Sequence, residues 1–566
     1  MREDRGGSDT GLKDGDRVLD MRTLVTISAR WRIAFFLVLA FAGPGVAQDG
    51  KEAPAAKAGL RLPAIFSDHM VLQRDMAVAV WGWAAAGEEV TVSAGGQSVN
   101  AKAGADGKWR VSLKPMAAAE STELVVKGKE KTITVKDVAV GEVWLASGQS
   151  NMRIPMSRNP EDFKKVEATA EDAGLRVFAP KERVAYVLQE DAIGVWVPST
   201  TKSVKSYDFS AVGYTFAREL RRTQKVPVGI IVAAVGGVPG VTYISPEGLE
   251  ASDDPGLKAC AAKYRRESAI VTKWLAEEAP AAMAKYLEEK ALAIKNKTAL
   301  PKGPVPPVVL PWSSGKTSML YHGQLGPIQP YAMRGALWYQ GENADGPTDY
   351  RKLLDALMVD WRKGFENPDL ALLVVQITAQ KPAFREKQLR FCQQTPKTGL
   401  AVINDTCTAD EYVHPRYKET TGRRLSLLAR GIVYGEKIVY SGPVYQAVKF
   451  EGQKAILSFT HVGEGLAAKV PVDPTKRVLT EADLGGDLGA KGGELRGFVI
   501  AGEDQKFVPA KAEIVGDTVV VSSEQVSKPA AVRYLWCEWP ALWTDTTLYN
   551  KNGLPAPPFR TDDWRR

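Results

Sequence analysis

The chain has 566 residues, 45% of them hydrophobic and 25% charged, with 14 Trp and 17 Tyr, the composition of a folded globular protein. Its length calls for two to four domains rather than one core. The formal net charge of +8 arises from 74 basic and 66 acidic side chains mixed along the chain, with no basic block of the kind that binds nucleic acid, so no nucleic-acid partner is expected.

In chain order, Arg30 and Arg32 precede the apolar run from Ile33 to Ala42, and Gly45 and Ala47 follow it. A positive flank, a short apolar run and small residues predict a secretory signal peptide cleaved after Ala47, with Met21 as an alternative start. The run is well short of the roughly 20 residues that span a bilayer. A secreted or periplasmic protein without a stable membrane anchor is therefore expected, with a retained anchor as the alternative. Residues 48–60 read as a linker. From 61 to 140, short β-branched runs such as "EEVTVSA" and "KWRVSLK" alternate with turns and predict an antiparallel β domain.

The rhythm changes at Gly141. Strands are predicted at 143–147, 226–237, 335–341, 370–377 and 398–405, with helices at 208–224, 349–365 and 423–434 between and after them. This alternation over 141–435 predicts an α/β fold, a parallel sheet covered by helices on both faces. Within it, 252–312 reads as an insertion: an Ala/Lys/Glu-rich helical stretch cut by Pro280, then a proline-rich connector. Strands return over 436–566, either as a second β-sandwich or packed with the first. The four cysteines, Cys260, Cys392, Cys407 and Cys537, lie far apart with no CxxC pair. An oxidising compartment permits a Cys392–Cys407 disulfide, and buried free thiols are equally open.

In "GEVWLASGQSNM", 141–152, an apolar strand ends on Ser147, Gly148, Gln149, Ser150 and Asn151. By itself this is either a turn or a serine presented at a strand end among amide donors. Such a serine needs a base. Of the four histidines, His69 and His461 fall in the β regions and His322 before the strand at 335. His414 follows the strand at 398 and precedes a helix, so it shares with Ser150 the carboxyl edge of the sheet, where ligands bind in such folds. Two further strand ends offer donors for an oxyanion: Gly236 and Gly237, and "WYQGEN" with Gln340, Glu342 and Asn343. The histidines form no cluster at metal-ligand spacing, and no metal is expected.

The segments "LPAIFSDHMVLQRDMAVAVWGWAAAGEEVTV", "GEVWLASGQSNM", "WYQGEN", "HPRYKETTGRRL" and "LYNKNGLPAPPFRTDDW" together resemble the sialate O-acetylesterase family of the SGNH (GDSL-like) hydrolase superfamily. The resemblance runs from about Leu60 to Trp564 and weakens over 252–312. It implies an SGNH-type parallel sheet with N- and C-terminal β-sandwich, jelly-roll-like regions. It also implies removal of O-acetyl groups from carbohydrates without metal or cofactor. By position it makes Ser150 the nucleophile, His414 the base, and the Ser150 and Gly237 N–H groups the oxyanion donors. Gly236, Gln149, Asn151, Gln340 and Asn343 stand beside them as oxyanion or substrate-binding candidates. The family's GxxN spacing would put Asn at 344, where Ala344 stands and Asn343 comes one residue early. Its DxxH spacing would put Asp at 411, where Glu411 stands, with Asp410 and Glu342 as alternative acids. The substrate expected is an acetylated sialic acid, with acetylated xylan or another polysaccharide as the alternative. A carbohydrate-binding protein with a degenerate site is the reading from another class.

Overall fold

In the computed structural model, the described residues are 59–158, 160–181, 184–206, 209–307, 316–344, 348–406, 413–469, 494–537 and 545–564. The predicted signal peptide, most of the linker, Cys407, Asp410 and Glu411 lie outside them. The chain divides into two units, one of Ala56–Ala284 with Val305–Arg566, the other of Met1–Ala55 with Lys285–Pro304. In the second, the described stretch is the later part of the helix Ala279–Asn296 followed by a turn and chain without regular secondary structure. An i,i+4 pair of Lys285 and Glu289 at 3.9 Å lies along that helix.

The first unit is built on a parallel sheet. Its strands are β1 (Thr132–Gly148), β2 (Asp172–Phe178), β3 (Trp196–Ser199), β4 (Val228–Ala234), β5 (Gly335–Tyr339), β6 (Ala371–Val375) and β7 (Thr398–Ala401). Their spatial order is β7-β6-β5-β1-β4-β2-β3, parallel throughout except the antiparallel edge strand β3. Successive residues point to opposite faces. Val143 and Leu145 join one core with Trp338, Leu354, Leu357 and Trp361, whereas Trp144 and Ala146 join the other with Val212, Phe216, Leu425 and Leu428. Covering both faces is why these strands read as unbroken apolar runs. The helices that supply the cover include α2 (Ala211–Gln224), α3 (Tyr350–Gly364), α4 (Pro382–Gln394) and α5 (Lys418–Leu428). α1 is the single turn Ser150–Arg153 that follows β1.

The helix predicted over 423–434 starts earlier, at Lys418, and continues as a wider turn over Ala429–Val433. It runs through Gly422, where a Cβ would lie 2.7 Å from both Thr215 Cβ and Val212 O. That glycine lets α5 and α2 pack closely rather than ending a loop. The insertion forms two helices, Pro255–Glu277 and Ala279–Asn296, with Pro280 in the first turn of the second, where its missing N–H is harmless.

The strand β1 begins in the N-terminal β region, paired antiparallel with Ala119–Lys127 and parallel with Val71–Gln73, and ends in the central sheet. The position read as a domain boundary, 140/141, thus falls inside one 17-residue strand. A Cβ at Gly141 would lie 2.0 Å from Pro227 O, so this glycine permits close approach and does not break the strand. Beside it Glu142 is fully buried, 2.6 Å from Arg74 Nε and 3.0 Å from Arg334 Nε. One apolar core runs from Val90, Val92 and Leu124 of the N-terminal region into a face of the central sheet. The C-terminal region has its own core, around Leu457, Phe498, Val519 and Tyr534, between antiparallel sheets. Cys260, Cys392 and Cys537 are free thiols.

Among the described residues no helix is long and apolar enough to cross a membrane.

Candidate active site

β1 leaves the sheet at Gly148, which pairs with Tyr339 of β5 and Ala234 of β4. Gly148 has φ +133°, a conformation that side chains strongly disfavour, and a Cβ there would lie 2.1 Å from Tyr339 O. The next residue is tied back, Gln149 N–H donating to Tyr339 O at 2.9 Å, and the chain turns into α1 at Ser150. From beneath, the Tyr243 hydroxyl donates to Gly148 O at 2.6 Å and accepts from Val235 N–H at 2.9 Å. The strand thus runs to the carboxyl end of the sheet, and Gly148, a position that no side chain fits, turns it so that Ser150 is presented there.

Ser150 Oγ lies 2.9 Å from His414 Nε2. His69 lies elsewhere, 2.7 Å from Asp137, His322 beside the Tyr264 hydroxyl, and His461 beside Thr460. The His414 imidazole is held below its ordinary pKa, first by desolvation and then by the positive charges of Lys418 and Arg158. It is therefore neutral at neutral pH and able to accept a proton. The peptide before it is anchored, since Val413 O accepts from Asn151 Nδ2 at 2.7 Å. Among the described residues no carboxylate reaches His414 Nδ1.

Glu342, at the end of β5, accepts a short hydrogen bond from Asn151 Nδ2. Although part of the residue meets solvent, its Oε2 is buried and has no hydrogen-bond partner. Burial pushes this carboxyl up to about 7, partly opposed by the Asn151 bond and the Lys418 charge. The Asn151 amide is fully committed: its nitrogen serves Glu342 and Val413 O, and its oxygen accepts from Lys418 Nζ.

Gly236 lies against the serine, a Cβ there falling 3.7 Å from Ser150 Cβ. Gly237 has φ +72° and open space where a side chain would sit, which leaves room for a substrate oxygen. Asn343 Nδ2 donates to Gly237 O at 2.6 Å and keeps a second amide hydrogen. Gln340 is buried and works as scaffold: its Nε2 is shared by Gln149 Oε1, Val238 O and Asn343 O at 3.0–3.2 Å. Gln149 Oε1 also accepts from Asn343 N–H at 3.4 Å. The Tyr350 hydroxyl lies 2.9 Å from Gln340 Oε1 and 2.5 Å from Gln340 O. A serine hydroxyl, an imidazole and a cluster of N–H donors therefore meet beside the carboxyl ends of β1, β4 and β5.

Three residues of this shell escaped the reading of the sequence: Tyr243, Tyr350 and Lys418. The two tyrosines carry no local signal. Lys418 does, because a lysine in the first turn of a helix opposes the helix dipole and calls for a reason.

No family model matches the chain. A carbohydrate acetylesterase from Xanthomonas citri, known from its crystal structure, is 32% identical with TM-score 0.70, over 89% of this chain and 100% of that one. Sialate O-acetylesterase of Rattus norvegicus is 26% identical over 548 residues, 88% of this chain and 94% of the rat protein. That of Homo sapiens is 27% identical over 555 residues, 89% and 93% of the two chains. A relative 32% identical and covered over its whole length, with sialate O-acetylesterases matched over 93–94% of theirs, shows that the chain belongs to the sialate O-acetylesterase family and is a carboxylic ester hydrolase.

Proposed function

We propose that this chain is a secreted serine esterase that removes O-acetyl groups from carbohydrates, acetylated sialic acids first among them. The observation that carries the chemistry is the 2.9 Å contact of Ser150 Oγ with His414 Nε2. His414 takes the hydroxyl proton as Oγ bonds to the acetyl carbonyl carbon, and the carbonyl electron pair moves onto oxygen. The Ser150 and Gly237 N–H groups and the spare Asn343 hydrogen receive that oxyanion, each donor contributing roughly 10²–10³ in rate. Collapse breaks the bond to the sugar oxygen, which leaves with the proton from His414. Water then attacks the acetyl-serine, giving its proton to His414, and acetate departs as Ser150 Oγ recovers that proton. Glu411, three residues before His414, is the carboxylate we assign to the imidazole. Glu342 acts on the same segment through Asn151. Secretion rests on the signal-like stretch that ends at Ala47.

A second reading keeps the chemistry and changes the sugar. The Xanthomonas citri relative, at 32% identity, is a carbohydrate acetylesterase whose name specifies no sugar, and the alternative substrate is acetylated xylan or another polysaccharide. The test is acetate release from 9-O-acetylated sialic acid beside acetylated xylan, by the parent and by Ser150→Ala. The reading expects release by the parent and none by the variant. Full activity of Ser150→Ala on an aryl acetate would remove the serine from the mechanism, and release from xylan alone would favour the second sugar.

A further inference from the structure

Lys418 is buried, 2% exposed, at the first position of α5 and four residues after His414. Burying an ammonium is costly, and the positive end of a helix dipole adds to that cost. A neutral side chain would be easier to house there if packing were the only need. The ammonium donates to Asn151 Oδ1 and lies 5.3 Å over the ring of Tyr339, the residue whose carbonyl receives Gln149 N–H. Asn151 follows the nucleophile directly, and its nitrogen grips Val413 O, directly before the base. One amide therefore links the segments of Ser150 and His414, 264 residues apart in the sequence, and the lysine's bond to the amide oxygen matches the way that amide faces.

Resting on the Ser150–His414 reading, we propose that Lys418 is a positioning residue of the esterase: through Asn151 it holds the backbone at Val413 and so aims His414 at Ser150. If the Asn151 amide flipped, its oxygen would face Val413 O and the Glu342 carboxylate, and both bonds would be lost. The lysine charge has a second effect at the same place. Two cations face the imidazole, Lys418 from α5 and Arg158 from the turn Met156–Arg158, while Glu342 lies on the other side of Asn151. Both cations favour the neutral base.

The test compares Lys418→Met, Lys418→Arg and Asn151→Ala with the parent on an aryl acetate, reading kcat, KM and the pH profile of kcat/KM. Lys418→Met is expected to lose about 10–100-fold, as for a buried charge-assisted hydrogen bond, in kcat rather than KM. Its acid limb moves to higher pH, because removing a cation makes the imidazole easier to protonate. Lys418→Arg keeps the parent's limb. Asn151→Ala loses a similar factor in kcat, and the double variant of Lys418→Met with Asn151→Ala is no worse than either alone. A folded Lys418→Met with the parent's kcat and acid limb overturns the proposal. If that variant does not fold, Asn151→Ala with the parent's kcat overturns it. Activity surviving in Ser150→Ala would instead refute the underlying mechanism, and the two failures are read from separate variants.

Discussion

Replacing Gly148 with alanine perturbs the site without removing any reacting group. The added Cβ meets Tyr339 O at 2.1 Å, where separations below 3.0 Å are essentially never seen, so the β1 and β5 backbones must part by about 0.9 Å. The backbone conformation at φ +133° adds roughly 1–3 kcal/mol for any residue but glycine. Forcing the methyl into packed backbone adds roughly 1–3 kcal/mol more. Together the variant should lose about 2–6 kcal/mol of stability, read from urea denaturation. The displacement also reaches Ser150, two residues on. A shift near 1 Å at a reacting centre lowers rate by roughly 10²-fold, which steady-state hydrolysis of an aryl acetate would register in kcat. A Gly148→Ala protein as stable and as active as its parent would refute the account of how this strand presents the serine.

Glu342→Gln should alter the pH dependence of stability. The folded-state value of Glu342 is raised from 4.5 to about 7, so its contribution is fully present below 4.5 and is lost as pH rises through about 7. The difference is at most about 3 kcal/mol. The glutamine variant, which still accepts from Asn151, should melt higher than the parent at pH 8 and show no advantage at pH 4.5; identical pH profiles of melting would contradict this. Arg424→Met strands Asp405, which Arg424 Nη1 holds at 2.6 Å in a buried pair, and should lose about 3–5 kcal/mol in urea titration. For the parent enzyme, the acid limb of kcat/KM should have its midpoint below 6.5, since His414 is held down from that value. A midpoint at or above 6.5 would argue against His414 as the base.

Much of the parallel sheet was legible because its strands are buried on both faces and therefore read as apolar runs bounded by turns, as at Ala371–Val375. Ser150 and His414 stood out in the sequence as strand-end candidates, though their contact bridges 264 positions and belongs to tertiary structure alone. What stayed hidden was glycine serving close packing. The sequence changes rhythm at Gly141 and the predicted helix starts just after Gly422, yet each glycine sits where another backbone passes within Cβ range. Misplacing that helix start also concealed Lys418, which became a loop residue instead of a buried cation. Glu142 was equally silent, because its ion pairs join Arg74 and Arg334 from distant segments.

The strand that carries Ser150 at its tip is rooted in the N-terminal β region, and Glu142 staples it midway to both neighbouring parts. The N-terminal β region and the central sheet thus share the backbone of one strand and are expected to unfold together. Amide protons at both ends of Thr132–Gly148 should exchange together, and removal of the N-terminal region is expected to unfold the central sheet as well. Because the strand that leads to Ser150 is rooted in the first sheet, a lesion there is expected to register at the serine as a lower esterase kcat.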